Sequence, residues 1–283
     1  MESTKSWRKL VLPIIIIMSM TMSSCAKLEA LIMGPNKKED ISIFKGTEAW
    51  KLAVAVSRQN VRNIEKIAAQ NPELLDFQDP YFRATLLIWA VGMEKYRSAE
   101  ALLRSGADPN IVADGTEIFE AMIQDALARD DLGFFSYGTP PKPLMGETAL
   151  FIASGYSWID RQAKKDPKFV NLLLEYGADP NICFTNGTNY VITSTGNRYW
   201  YGIEAGTSPL MNSIGCGIEK TKALVEAGAD IDNQTESGRT AAIRALLSSV
   251  GRNSEYAHYL IVEKKANVTE PFFRDLLAIV GGG

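Results

Sequence analysis

The chain has 283 residues, of which 46% are hydrophobic and 22% charged, and its net charge is −3. This composition suits one or two folded domains and excludes a disordered or collagen-like chain. Basic and acidic residues number 30 and 33, so the chain lacks the basic excess that nucleic-acid binding requires.

At the N-terminus, Lys5, Arg8 and Lys9 precede an apolar run from Leu10 to Met22 that ends in Ser23, Ser24 and Cys25. This is a signal-peptide pattern, and the run is too short for a stable membrane span. The sequence TMSSC resembles the lipobox of bacterial lipoproteins, which implies cleavage just before an acylated cysteine. Residues 1–24 are then a lipoprotein signal peptide, and Cys25 is the lipidation site, carrying palmitate-like chains. Residues 25–46 form the lipidated N-terminus and a tether that includes the polar GPNKKED at Gly34 to Asp40. Ala26 stands where aspartate often retains lipoproteins at the inner membrane, so the resemblance implies an outer-membrane anchor facing the periplasm. Loss of residues 1–24 removes three basic groups and one acidic group and takes the net charge from −3 to −5. Cys183 and Cys216 remain in an oxidising compartment and are candidate disulfide partners.

From residue 47 onward two phrases alternate. The first has the form T-x-L/I-x-x-A: a degenerate EAWKLA at Glu48, then TLLIWA at Thr85, TEIFEA at Thr116, TALFIA at Thr148, SPLMNS at Ser208 and TAAIRA at Thr240. The second closes a helix: LLRSGADPN ending at Asn110, LLEYGADPN ending at Asn181, and LVEAGADID ending at Asp232. Glycine there fits the left-handed residue that follows a last helical turn. Asp and Asn hold the next turn through side-chain hydrogen bonds, and proline stops the helix. Near the end, TEPFFRDLLAIV places Pro271 in the first turn of a helix that would cap the apolar end of a stack.

Together these phrases resemble the ankyrin repeat, whose 33-residue unit opens with TPLHxA, makes two antiparallel helices and ends with GADxN before a hairpin. The histidine of the opening phrase is missing from every copy. The resemblance implies an all-α solenoid of five to six divergent helix-turn-helix units over residues 47–283, with inserted loops, one extended β-hairpin and a C-terminal capping helix. The unit at Thr116 is ambiguous, because GFFSYGTPPKPLMG follows where a second helix belongs. It is either a repeat without that helix or an inserted helix and loop.

Spacing locates the interruptions. Thr85 to Gly106 is 21 residues and Ser208 to Gly228 is 20, but Thr148 to Gly177 is 29. About eight extra residues, around SWIDRQAKKDP, therefore lie between two helices. A further 19 lie between Gly177 and Ser208. There NYVIT and RYWYGI flank a turn at Thr195, Gly196 and Asn197, which predicts a β-hairpin.

Insertions in a solenoid emerge as loops along one face and are often where binding occurs. Tyr190, Arg198, Tyr199, Trp200 and Tyr201 are thus the first candidate partner-binding residues, since Tyr, Trp and Arg are enriched at interface hot spots. Phe134, Phe135 and Tyr137 form a second candidate set on the loop before Thr148, and that loop also reads as an ordinary surface loop braced by its prolines. No nucleophile triad, metal-spaced His/Cys cluster or phosphate-binding loop is present in the sequence. His258, the one histidine, falls on a helix surface pattern. The expectation is a non-catalytic protein-binding lipoprotein of the bacterial envelope without cofactor or metal. Its most concrete form is an immunity protein that blocks a secreted toxin, such as a type VI phospholipase effector. A periplasmic ankyrin scaffold or stress-protection factor is the alternative, and a glycan-binding or enzymatic module the third.

Overall fold

The computed structural model describes residues 38–118, 121, 144–155, 158–159, 165–185, 190–192, 198–200, 203–249 and 254–268. The protein is mostly helical, with 52% helix against 2% strand, in line with the all-α expectation.

A short 3-10 turn, Ile41–Phe44, leads in, its start held by the Asp40 carboxylate accepting from the Ser42 N–H at 2.9 Å. Helix pairs follow: α1 (Trp50–Ser57) with α2 (Val61–Gln70), then α3 (Leu86–Gly92) with α4 (Tyr96–Arg104). Next come α5 (Ala149–Ser154) with α6 (Lys168–Glu175), and α7 (Pro209–Ser213) with α8 (Ile218–Glu226). Last is α9 (Ala241–Ser249) with α10 (Ser254–Ala257), which runs into a π-helical turn at His258–Glu263.

The opening phrase is a cap. Side-chain oxygens of Thr85, Thr148, Ser208 and Thr240 accept from the backbone N–H three residues on, at 3.1 to 3.2 Å. Each cap satisfies one of the orphan donors of a helix start. The first helices α1, α3, α5, α7 and α9 pack successively on one another, and so do the second helices α2, α4, α6, α8 and α10. Ser98 ties the two rows together, donating from its buried hydroxyl to the Val56 carbonyl at 2.7 Å.

Helices α3 and α5 are buried on every side; Leu86, Leu87, Ile88, Leu150 and Phe151 are all at most 2% exposed. A helix apolar all round has no solvent face to offer. The middle of the first-helix row is therefore closed, and open surface on that row lies toward its ends.

The closing phrase does more than end a helix. Gly106, Gly177 and Gly228 do sit at positive φ, 103°, 83° and 91°, where a Cβ would be strained. But the asparagine after each proline reaches the next unit. Asn110 donates from Nδ2 to the Gly177 carbonyl at 3.0 Å and accepts at Oδ1 from the Asp179 N–H at 2.8 Å. Asn181 repeats both bonds on Gly228 and Asp230, at 3.1 and 2.7 Å. The Asp76 carboxylate precedes this ladder, accepting from Asp108 N–H at 2.9 Å, and Asp232 continues it, accepting from Asn267 N–H at 2.7 Å.

This ladder bears on the ambiguous unit. Asn110 grips the turn that closes α6, and α3 and α4 touch α5 and α6 directly. The copy at Thr116 therefore does not stand between them. It belongs to an insertion that leaves and rejoins through one ladder, β1 (Ala113–Asp114) antiparallel to β2 (Met145–Glu147). The expected insertion after α5 is also present: 13 residues, Gly155 to Pro167, join α5 to α6, where only Met93 to Lys95 join α3 to α4. The proposed capping helix around Pro271 lies outside the described residues.

Candidate functional site

Four turns project between consecutive helix pairs, and each closes at its root with a backbone bond. The closing pairs are Asp79 N to Ala84 O at 2.9 Å, Gly115 N to Leu144 O at 2.7 Å, Phe184 N to Thr207 O at 2.9 Å, and Thr235 N to Arg239 O at 3.0 Å. The first and last are tight turns, while the second and third carry the long insertions. These four fingers touch side by side. Gln78 Nε2 donates to the Val112 carbonyl at 2.9 Å, and Asn233 Nδ2 donates to the Gly206 carbonyl at 2.9 Å. Gly146 lies so close to the third finger that a Cβ there would stand 2.7 Å from the Thr185 nitrogen, too near for any other residue without movement.

In the third finger, β3 (Tyr190–Ile192) pairs antiparallel with β4 (Arg198–Trp200), as the alternation predicts. Tyr190 stands opposite Trp200, Val191 opposite Tyr199 and Ile192 opposite Arg198. Alternation along each strand puts Tyr190, Ile192, Arg198 and Trp200 on one face of this ribbon, and Val191 and Tyr199 on the other. Four of the five candidate residues are thus brought together at backbone level. Tyr201, Phe134, Phe135, Tyr137 and Cys25 lie outside the described residues.

Beside the root of this finger is a hollow of about 120 Å³. Thr207, Met211 and Thr240 form its floor, and Glu204, Arg239, Arg244 and Leu247 stand around it. Glu204 accepts at Oε1 from the Ser237 N–H at 2.8 Å. Partial burial works to raise its pKa, but hydrogen bonds from Ser237 and Thr235 and the charge of Arg239 hold it below the usual glutamate range. Leu247 is 45% exposed. The sequence reading missed this hollow. The available signal was a leucine off the buried stripe of α9: Ala241, Ala242 and Ala245 face inward, and Arg244 and Leu247, three apart, share the outer side.

Two buried ionisable groups support the frame. Asp79, fully buried, accepts at Oδ1 from Tyr81 and Phe82 N–H, both at 2.8 Å, and at Oδ2 from Ala84 N–H at 2.7 Å. Desolvation nevertheless lifts its pKa to about 6. Lys220, 5% exposed, donates from Nζ to the Ala153 and Gly155 carbonyls at 2.9 and 3.1 Å. It places a cation at the C-terminal end of α5, where the helix dipole favours one, and burial lowers its pKa.

The disulfide expectation is corrected: Cys183 and Cys216 are both present as thiols, outside any disulfide. His258 is exposed and faces Glu263, with Nδ1 to Oε1 at 3.1 Å, a surface pair on its own turn. Among the described residues no group of three or more His, Cys, Asp or Glu side chains could hold a metal ion. No helix among them is long and apolar enough to cross a membrane.

Capped first helices, glycine-stopped second helices and projecting turns define a helical-repeat frame. Residues 145–183 match the family model of the ankyrin repeat, and these span β2, α5, α6 and the second asparagine clasp. No curated protein matches the chain.

Proposed function

We propose that the chain is an ankyrin solenoid that binds a protein partner through its two extended fingers and the open part of the adjoining first-helix row. The observation that carries this reading is the third finger. Its β3–β4 ladder extends well beyond the Phe184–Thr207 closure, while the first and fourth fingers stop at their own closing bonds. A frame that needs only tight turns has invested chain length in one aromatic ribbon, and aromatic and arginine residues are the usual anchors of interfaces. Capture is steric and involves no chemistry.

The N-terminal TMSSC pattern supports a lipid anchor at Cys25 and a place in the bacterial envelope, on the outer membrane facing the periplasm. In that setting the most concrete role is immunity: covering the active-site cleft of a secreted envelope toxin such as a phospholipase effector. Anchoring raises the local concentration of such an inhibitor where a lipase acts. The test is toxin challenge of cells that lack the chain. Sensitivity to one envelope-targeted toxin is expected, restored to resistance by the wild type and not by Trp200→Ala. Full resistance to every such toxin in its absence would reject immunity, and purification with a resident envelope protein in its place would identify a scaffold.

A further inference from the structure

We infer that the insertion between α5 and α6 is a clamp on the N-terminal segment, so that a load on the N-terminus is borne by the first three helix pairs together and not by the terminal pair alone. The clamp rests on contacts within the stack; only its use by a lipid tether depends on the Cys25 reading above.

Helix α3 ends at Gly92, and the last carbonyls of a helix have no partner within it. Trp158, on the insertion, donates its backbone N–H to the Gly92 carbonyl at 3.3 Å. Its indole covers the same residue, since a Cβ built on Gly92 would overlap the ring. Gly92 is buried and is not at positive φ, so its backbone does not call for glycine, which a helix disfavours relative to alanine. The space it leaves is the seat of the tryptophan.

The entering chain meets both partners of this contact. Lys38 places its ammonium over the Trp158 ring, 4.6 Å from the centroid. Glu39, next in sequence, accepts at its carbonyl from the Trp89 indole N–H at 3.3 Å. Trp89 is a buried residue of α3, one turn before Gly92, and a buried indole N–H needs such a partner. From Asp40 the chain enters the 3-10 turn, whose buried Ile43 and Phe44 bring it onto α1. The segment from Lys38 to Phe44 therefore touches the first pair through this turn, the second through Trp89, and the α5–α6 connection through Trp158.

In a stack whose units touch only their neighbours, the ends open most easily. A contact from the entering chain to the third pair bypasses that order. It also gives the extra residues of the α5–α6 connection a use, because they bring Trp158 back to the end of α3. A pull on the chain before Lys38 then meets the clamp before it reaches the 3-10 turn and α1.

The test is hydrogen exchange, by mass spectrometry and NMR, on the intact mature chain. Gly92→Ala keeps Trp158 but fills its seat, and Trp158→Ala empties it. In both, residues 38–45 should exchange about tenfold faster, the loss expected for one indole hydrogen bond and one exposed cation–π contact, and α1 should follow. The Trp89 indole N–H should lose protection in parallel, while α7 and α8 keep theirs. The double variant should be no faster at 38–45 than the faster single one, because both changes break one contact, and Trp158→Phe should restore part of the protection. If Trp158→Ala raises exchange throughout the stack, Gly92→Ala decides. Wild-type protection of 38–45 in Gly92→Ala, or faster exchange confined to the α5–α6 connection, would overturn the clamp and leave Trp158 a packing residue of its own loop. Either result leaves the protein-binding reading to its own test with Trp200→Ala.

Discussion

Replacing Asn110 with alanine removes two hydrogen bonds between neighbouring units, from Nδ2 to the Gly177 carbonyl at 3.0 Å and from the Asp179 N–H to Oδ1 at 2.8 Å. A net hydrogen bond contributes about 1 kcal/mol, and water can replace the lost partners at this exposed edge. The expected loss is therefore about 1–2 kcal/mol, near the low end for two bonds. For a folded body of this size that lowers Tm by roughly 2–8 °C. Asn110→Asp separates the two bonds: it keeps an acceptor for Asp179 but sets a carboxylate against the Gly177 carbonyl, so it should recover no more than half of the loss. Urea unfolding gives the total, and hydrogen exchange gives the place, because the Asp179 amide should lose protection while those inside α5 retain it. If Asp179 stays protected in Asn110→Ala and stability changes by less than about 0.5 kcal/mol, helix contacts alone hold these units together and the asparagine ladder is incidental.

Asp79 predicts a pH dependence. Its folded pKa is raised from 3.8 to about 6, so between these values the native state binds more protons than the unfolded chain, and its contribution to stability falls as pH rises. The difference in stability between wild type and Asp79→Asn should change by about 2 kcal/mol from pH 4 to pH 7, to the disadvantage of wild type, measured by urea unfolding at both; a constant difference would refute the assignment. Lys220→Met strands the Ala153 and Gly155 carbonyls and should cost about 1–3 kcal/mol in thermal unfolding, with Lys220→Arg recovering part of it; an unchanged Tm would mean that water already serves those carbonyls.

The helical frame was legible because its signals are local. A capping Thr85 or Thr148 and a left-handed Gly106 or Gly177 need only their neighbours in sequence; the glycines sit at positive φ as expected, and the opening phrase starts each helix through its cap. The hairpin was legible for the same reason, since two-residue alternation and a Gly-Asn turn are short-range. Partners of the closing asparagines were not, because Asn110 and Gly177 are 67 residues apart, and nothing in either phrase states which copy it faces. The Thr116 copy stayed ambiguous for a related reason. It has a helix-opening pattern, but membership of the stack depends on whether α3 meets α5, which is a tertiary fact. Cys183 and Cys216 were compatible with a pair in number, and whether two thiols meet is a tertiary fact; here both lie outside any disulfide.

The same closing bond recurs at all four finger roots, and this has a consequence for where function can vary. A finger that is pinned at its base by a backbone N–H and carbonyl transmits little of its tip's length into the stack, since loop closure costs only about 0.6 kcal/mol for each doubling of length. Chain length between Gly115 and Leu144, and between Phe184 and Thr207, is therefore uncoupled from the helices, while Thr185, Glu204 and Gly206 at the third root stay committed to contacts with the neighbouring fingers. The asparagine ladder lies in the turns that close the second helices, so it holds the units in register independently of the finger tips. The repeated GADPN turn thus fixes the spacing of the frame, because its asparagines hold each closing turn to the next.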